Sequence, residues 1–310
     1  MNKVCYNHLV RFFTFIQFCT KESIFMKYAL FTGAAGGISG ACVEALDKQG
    51  GWTIFAGYNR TPCDDLIARC SDNVIPIHCN ISSQEECFAA AEEIKKYTDH
   101  LDVVVNCAGI HTMDSLIEGD PAAVVEKIVN VNLLGMVRVN KAMFPLVNAC
   151  KGRIINFSSE CGWEQPQPFN SPYAISKYAV EAYTIGLRRE LNFLGIKVIK
   201  IQPGSFKTGM HGQATDGYQK IYEKTEYYKD VLKVMKPMMT VAMSHPNEMH
   251  YLTDTVLEAI NAKNPKVNYK CKNTWYLGLI DPIPAKIIDA GYKYLIAALA
   301  KVVPDPKPSK

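Results

Sequence analysis

Tyr173-Ala174-Ile175-Ser176-Lys177 sets a phenol and an ammonium four residues apart. On a helix, positions i and i+4 share a face, so Lys177 can stand beside Tyr173. A free tyrosine, with a pKa near ~10, is a poor proton shuttle at neutral pH. A fixed positive charge within about 4–6 Å favours the phenolate and is expected to lower that pKa. Asn156-Phe157-Ser158-Ser159 precedes the pair by a short loop. A hydroxyl from Ser159 can then hold a carbonyl or alcohol oxygen where the phenol gives or takes its proton. The Y-x-x-x-K spacing by itself also describes many plain amphipathic helix faces, so the rest of the chain decides the matter.

A second signal lies near the start. The apolar run Tyr28-Ala29-Leu30-Phe31 leads into Thr32-Gly33-Ala34-Ala35-Gly36-Gly37-Ile38-Ser39-Gly40, after which Ala41, Val43, Ala45 and Leu46 read as a helix. Strand, glycine-rich turn and helix N-terminus make an anion site, because backbone N–H groups and the helix dipole point at a docked phosphate. A tight turn at a helix start is the plainer alternative, and a continuing β-α pattern separates the two.

That pattern continues. Trp52–Ala56, Val74–Ile77, Leu101–Val105, Arg153–Phe157 and Ile196–Ile201 read as strands. Helical periodicity covers Cys42–Gln49, Gln84–Tyr97, Pro121–Ala149 (with a possible break near Pro145) and Tyr173–Phe193. Val/Ile strands alternating with amphipathic helices predict an α/β fold, a single doubly wound Rossmann-type domain with helices on both faces of a parallel sheet. The site then lies outside the carboxyl ends of the strands, where the Gly33 turn, Asn106, Ser159 and Pro203-Gly204 all fall.

These residues together resemble the short-chain dehydrogenase/reductase family, and the layout of the tail resembles its retinol and 17β-hydroxysteroid dehydrogenase branch. The resemblance covers roughly residues 27–262 and rests on Thr32-Gly33…Gly37-Ile38, Asn106-Cys107-Ala108-Gly109, Asn132, Ser159, Tyr173…Lys177 and Pro203-Gly204…Thr208. It implies that Tyr173 is the general acid/base and that Lys177 lowers its pKa and binds the nicotinamide ribose. It further implies that Ser159 positions the substrate oxygen and that Asn132 holds the link from Lys177 to solvent. Gly33, Ala35, Gly36, Gly37, Ile38, Asn80, Ile81, Asn106, Ala108 and Gly109 are implied on the adenosine and phosphate side. Pro203, Gly204, Phe206 and Thr208 are implied against the nicotinamide. Departures from the family pattern include Ser39 in place of a third glycine, where its hydroxyl is expected to reach a phosphate, and Asn80 in place of an aspartate. The loop from Ser159 to Tyr173 is one residue longer than in many relatives, which makes Ser158 the competitor of Ser159. Ser159 is preferred.

The segment after the second strand, Gly57-Tyr58-Asn59-Arg60, holds no carboxylate to accept from a ribose 2′-hydroxyl. Arg60 can meet a 2′-phosphate, so NADP(H) is favoured, with NAD(H) as the alternative. The net charge of +4 is too diffuse for a nucleic-acid surface. Eleven scattered cysteines fit reduced thiols and a cytoplasmic protein, and no metal-ligand spacing occurs, so no metal is expected. Residues 1–25 read as a leader outside the core, with Met26 as the expected start. Residues 26–262 form the dehydrogenase domain, and 263–310 an extension near the substrate mouth. Tyr218, Tyr222, Tyr228, Met235, Met239 and Met243 suit an apolar ligand. The run Ile287–Val303 is expected to pack on the domain rather than on a membrane surface. The expected reaction interconverts an alcohol and a carbonyl on a steroid-like or retinoid-like substrate. A small polar carbonyl substrate, or a regulator that only binds the nucleotide, are the alternatives. A homodimer or homotetramer is implied by the resemblance.

Overall fold

Seven short runs, most of them rich in Val, Ile and Phe, form one parallel sheet: β1 Lys27–Thr32, β2 Trp52–Tyr58, β3 Val74–His78, β4 Val103–Asn106, β5 Arg153–Phe157, β6 Lys197–Pro203 and β7 Asn268–Cys271. The strand order is β3-β2-β1-β4-β5-β6-β7. This computed structural model describes residues 26–242, 245–274, 279 and 282–305, so the leader 1–25 and Met243 lie outside the described residues. The chain runs outward through β2 and β3, then returns to place β4 on the other side of β1. That reversal opens a crevice at the carboxyl ends of β1 and β4.

Both faces of the sheet are covered, which is why its central strands lack polar alternation, unlike the edge strands β3 and β7. On one face α1 (Gly37–Gln49) and α9 (Met249–Asn261) pack through Val43, Leu46, Leu252 and Val256 on Val103 and Val105. On the other, α3 (Gln84–Ile94, after the short α2 Asp64–Ile67), α5 (Gly135–Cys150) and α6 (Ser171–Asn192) bury Ile94, Met143, Leu146 and Leu191 against Val104 and Ile154. The ends are set locally. Ser83 caps α3 by accepting from Glu86 N at 3.2 Å. Asp120 caps α4 (Pro121–Val129) by accepting from Ala123 N at 3.1 Å, with Pro121 in the first turn.

Several boundaries differ from the sequence expectation. The first helix begins at Gly37, directly on the glycine turn, rather than at Cys42. The expected helix over 121–149 divides at a π turn, Asn130–Leu134, and not at Pro145, which α5 simply contains. Pro145 gives up one donor, whereas Asn132 is pulled out of register by bonds to two other segments. Strand β7 pairs with β6 from Lys200↔Asn268 to Pro203↔Cys271, so the sheet draws on residues beyond 262. Helices α7 (Gly209–Lys224), α8 (Lys229–Ala242) and α10 (Ala285–Leu299) form a separate apolar unit with Met113, Phe169, Tyr218, Leu232 and Ile296 at its centre. Among the described residues no helix is long and apolar enough to cross a membrane.

Candidate active site

The glycine turn is built from backbone. Gly33 has φ +69°, and a Cβ there would stand 2.9 Å from Ala108 Cα, so the β1 turn can lie against the β4 turn only as glycine. Thr32 Oγ1 ties the two together by accepting from Cys107 N and Ala108 N, each at 3.1 Å. Ala35, Gly36 and Gly37 are exposed on the rim. Helix α1 has no side-chain cap at Gly36, which leaves first-turn N–H groups free for an anion. Ile38 packs partly on the core behind them. Ser39, expected to reach a phosphate, is buried and donates instead to Thr32 O at 3.0 Å, so it steadies the turn from behind. A dinucleotide fits this cradle: the turn is bare of side chains where phosphates approach, and the helix donors point outward.

Further along the rim, Asn80 receives Asn59 Nδ2 at 3.1 Å and donates to Glu86 Oε1 at 2.9 Å. Ile81 fills the space over Gly135, where a Cβ would meet it at 2.7 Å. Gly57 lies inside β2, with a would-be Cβ 2.9 Å from Phe31 O, so that position cannot present a carboxylate to a ribose. Arg60 stands exposed just beyond β2. Asn106 is not a lining side chain. It is buried and donates to Asn140 Oδ1 at 2.7 Å and Asn156 Oδ1 at 3.0 Å, closing the ends of β4 and β5. Ala108 and Gly109 carry the loop past the crevice. Pro203 ends β6, and Gly204 passes so close to β7 that a Cβ would sit 2.1 Å from Lys272 O. Phe206 is buried in the core instead of lining the crevice. Thr208 stands just before α7, without a side-chain capping bond, and faces Gly37 across the mouth.

The four polar residues expected to do chemistry converge at this edge. Lys177 and Tyr173 share a face of α6, with Nζ 5.6 Å from the phenol ring centroid. Lys177 Nζ donates to Phe157 O at 3.0 Å, which pins the ammonium under the end of β5. Ser159 begins the turn Glu160–Gly162 and accepts from Cys161 N at 3.2 Å. Its hydroxyl faces the Tyr173 phenol and favours the phenolate. Ser158 is buried with no partner for its hydroxyl, so the geometry favours Ser159 over its neighbour. Asn132 clamps the loop after β4: Oδ1 accepts from Ile110 N at 2.8 Å, while Nδ2 donates to Ile110 O at 2.9 Å and Ser176 Oγ at 3.0 Å.

Electrostatics depart from the sequence expectation. Burial pushes the Tyr173 phenol well above its ordinary range, and the Ser159 hydroxyl offsets only part of that. Burial also brings Lys177 down to about 8. The lysine therefore does not, in this chain by itself, hold the phenol below its ordinary value. Both groups are desolvated, and desolvation favours their neutral forms. The flanking thiols of Cys107 and Cys161 are pushed up to about 12 by the same cause, so they stay protonated.

Sequence reasoning passed over His111. Its ring lies 4.6 Å from that of Tyr173, its Nε2 is 3.0 Å from Asn170 Oδ1, and burial lowers its pKa. A lone histidine two residues past Gly109 carries no motif. Next to this wall, Phe169, Tyr228, Tyr292 and Ile296 line a cavity of about 560 Å³ between α8 and α10, with Lys293 and Lys301 also in its walls. Among the described residues no group of His, Cys, Asp and Glu is placed to hold a metal ion.

Comparison with known proteins agrees with this geometry. The family model described as short chain dehydrogenase matches residues 27–219. Retinol dehydrogenase 16 of Mus musculus is 29% identical over 278 residues, covering 85% of this chain and 87% of that protein. The human 17-beta-hydroxysteroid dehydrogenase type 6 is 27% identical, over 78% of this chain and 80% of its own length. Estradiol 17-beta-dehydrogenase 2 of Mus musculus is 31% identical, over 78% and 67%. Among solved structures, a short chain dehydrogenase from Burkholderia cenocepacia in complex with NADP superposes with TM-score 0.62 at 21% identity, covering 91% of this chain and 99% of that one. The actinorhodin polyketide ketoreductase with NADPH gives 0.67 at 23% identity, over 80% and 96%. The glycine turn, the strand-end serine and the Tyr173–Lys177 helix thus stand in a shared architecture, and this chain belongs to the short-chain dehydrogenase family of oxidoreductases.

Proposed function

We propose that this chain interconverts a hydrophobic alcohol and its carbonyl compound, of retinoid-like or steroid-like size, with NAD(P)(H). The observation that carries the proposal is the meeting of Ser159, Tyr173 and Lys177 at the carboxyl edge of the sheet; an apolar cavity walled by Phe169, the neighbour of Asn170, supports the substrate class. When bound, the nicotinamide supplies the two-electron redox partner. The residues that would hold the nucleotide are Gly33, Ala35, Gly36, Gly37 and Ile38 at the phosphates, with Asn80, Ile81, Ala108 and Gly109 along the adenosine. Pro203, Gly204 and Thr208 would flank the nicotinamide end, and Lys177 the ribose.

The chain's own groups handle the proton. Ser159 donates a hydrogen bond to the substrate oxygen and holds it within reach of the Tyr173 hydroxyl. In oxidation Tyr173 takes the alcohol proton, and in reduction it returns one to the carbonyl oxygen. Lys177 supplies the positive charge that favours the phenolate when that proton is given up, and Asn132 keeps the loop after β4 and helix α6 in one arrangement. His111 closes the apolar side and keeps water from the ring face.

Cofactor preference is proposed as NADP(H) over NAD(H), because Arg60 stands at the end of β2 with no carboxylate from Gly57 to Arg60. The cavity of about 560 Å³ falls within the range of drug-sized ligand sites, which supports a hydrophobic substrate over a sugar. Partly exposed Leu134, Ile175 and Tyr178 on the faces around α5 and α6 support self-association there. A cytoplasmic setting is part of the proposal, on the nine free cysteines described. A panel of all-trans-retinol, a 17β-hydroxysteroid, a sugar and an acyl thioester, each with both cofactors, tests it. Turnover of retinol or the steroid is expected. Turnover confined to the sugar or thioester would overturn the substrate class, and none at all would overturn the catalytic reading.

A further inference from the structure

Beneath the Tyr173–Lys177 face lies a buried charge pair that the proton chemistry does not use. Lys200 sits mid-strand in β6 and is only 4% exposed. Its ammonium meets Glu181 Oε2, whose side chain is 12% exposed, and Glu181 Oε1 accepts from Gln202 Nε2 at 2.9 Å. Lys200 and Gln202 are two residues apart on one face of the strand, so they grip the same carboxylate. Glu181 stands one turn beyond Lys177 on α6. Its Cγ lies 3.0 Å from where a Gly162 Cβ would be, and Lys177 O lies 3.1 Å from the same point. Gly162 ends the turn that Ser159 begins. The Glu181 side chain thus touches both arms of the site, and β6 holds it from below. Desolvating two charges costs several kcal/mol per ion, and well-packed apolar residues often serve stability as well. A pair maintained at this depth calls for another reason.

We propose that Glu181 is a positioning residue of this reaction: clamped by Lys200 and Gln202, its side chain fixes the Lys177 turn of α6 against the turn that carries Ser159. The inference rests on the alcohol–carbonyl reading above. The groups facing Lys177 are Tyr173 and Glu181 on its own helix, Cys107 after β4, Cys161 in the Ser159 turn and His111 in the loop beyond β4, with Lys200 of β6 behind Glu181. Both thiols stay protonated and His111 is neutral near pH 7, so Glu181 is the fixed negative charge of this set. Burial lowers the lysine and Glu181 opposes that. Removing the carboxylate therefore lowers the pH at which Lys177 loses its proton.

The test compares the full-length wild type with two neutral pairs, E181Q/K200M and E181Q/K200Q, by pH profile of kcat/KM and by urea unfolding. The assay uses all-trans-retinol, or cyclohexanol where retinol is not turned over. E181Q alone is expected to unfold early, because it leaves Lys200 buried and unpaired. The neutral pairs are expected to regain most of the wild-type midpoint, yet to lose activity on the alkaline side earlier, by up to about one pH unit because the departing Lys200 charge offsets part of the shift, and to fall about tenfold in kcat. A neutral pair with wild-type profile and kcat overturns the proposal. So does failure of both pairs to fold, which makes the ion pair a folding element only. A wild type inactive on both alcohols refutes the underlying reading instead, and that outcome is distinct because no profile then exists to shift.

Discussion

The crevice rim and the cover above it are built to different tolerances. At the rim, space is fixed by backbone: Gly33, Gly57 and Gly204 each lie within 2.9 Å or less of a neighbouring backbone atom where a Cβ would go. Polar groups there tie neighbouring segments together, as Asn132 does through both the N–H and the carbonyl of Ile110. The cover formed by α7, α8 and α10 is centred on the apolar side chains Tyr218, Leu232, Met235 and Ile296, with polar ties such as Lys236 Nζ to Gln219 Oε1 joining its helices. Adaptable residues such as Met suit a surface that follows its ligand. Chemistry common to many alcohols belongs on the first region, and choice among alcohols on the second. Substitutions at the rim should accordingly abolish turnover or cofactor binding, whereas those in the cover should re-rank substrates.

The largest effect is expected at the phenol. Tyr173→Phe keeps the ring that packs on His111 and removes only the proton donor, so kcat should fall roughly 10²–10⁴-fold while cofactor affinity stays near wild type. Steady-state kinetics with cofactor titration by fluorescence check this. Retained turnover would place the proton chemistry elsewhere and erase the contrast between rim and cover.

Gly33→Val tests the rim as backbone. The position has φ +69° and no room beside Ala108, so strain of roughly 1–3 kcal/mol is expected. Cofactor affinity should fall by about 10- to 100-fold, read by calorimetric titration of NADPH and NADH. Unchanged affinity would mean the turn is not the phosphate cradle.

How much of this was legible in the sequence follows the same division. Strands β1 to β6 and the order Gly33, Asn106, Ser159, Tyr173, Lys177 could be read directly, because parallel strands and their end turns leave apolar runs punctuated by fixed residue types. Strand β7 was missed: Asn268–Cys271 has only four residues, with Tyr269 and Cys271 inward, and gains its place by pairing with β6. The inward turn of Asn106 and the burial of Phe206 were equally hidden, since a motif states which residue stands at a strand end and not where its side chain points. The fall of Lys177 to about 8 depends on how completely α6 is covered, and spacing carries no such information. His111 and Asn170 meet near Tyr173 only through loops from two different strands.

The cover is probed with Ile296→Trp, which enlarges a side chain in the cavity wall. Excess volume in a packed region costs about 1–3 kcal/mol. If the cavity receives the apolar body of the substrate, KM for retinol should rise roughly tenfold while kcat/KM for cyclohexanol stays within about twofold. An equal loss for both alcohols would show that the cover supports the rim rather than choosing substrates.

The smallest effect is expected at Arg60, which belongs to the rim but stands in solvent. A guanidinium that meets a 2′-phosphate makes a charge-assisted contact, yet exposed ion pairs contribute about 1 kcal/mol or less and are screened by salt. Arg60→Ala should therefore weaken kcat/KM for NADPH by up to about fivefold, leave NADH unchanged, and lose its effect at high ionic strength. The two cofactors measured in parallel at low and high salt decide the point. An equal change for both, or none, makes Arg60 a plain surface charge. The preference would then pass to NAD(H), because the segment Gly57–Arg60 would hold no group that rewards a 2′-phosphate.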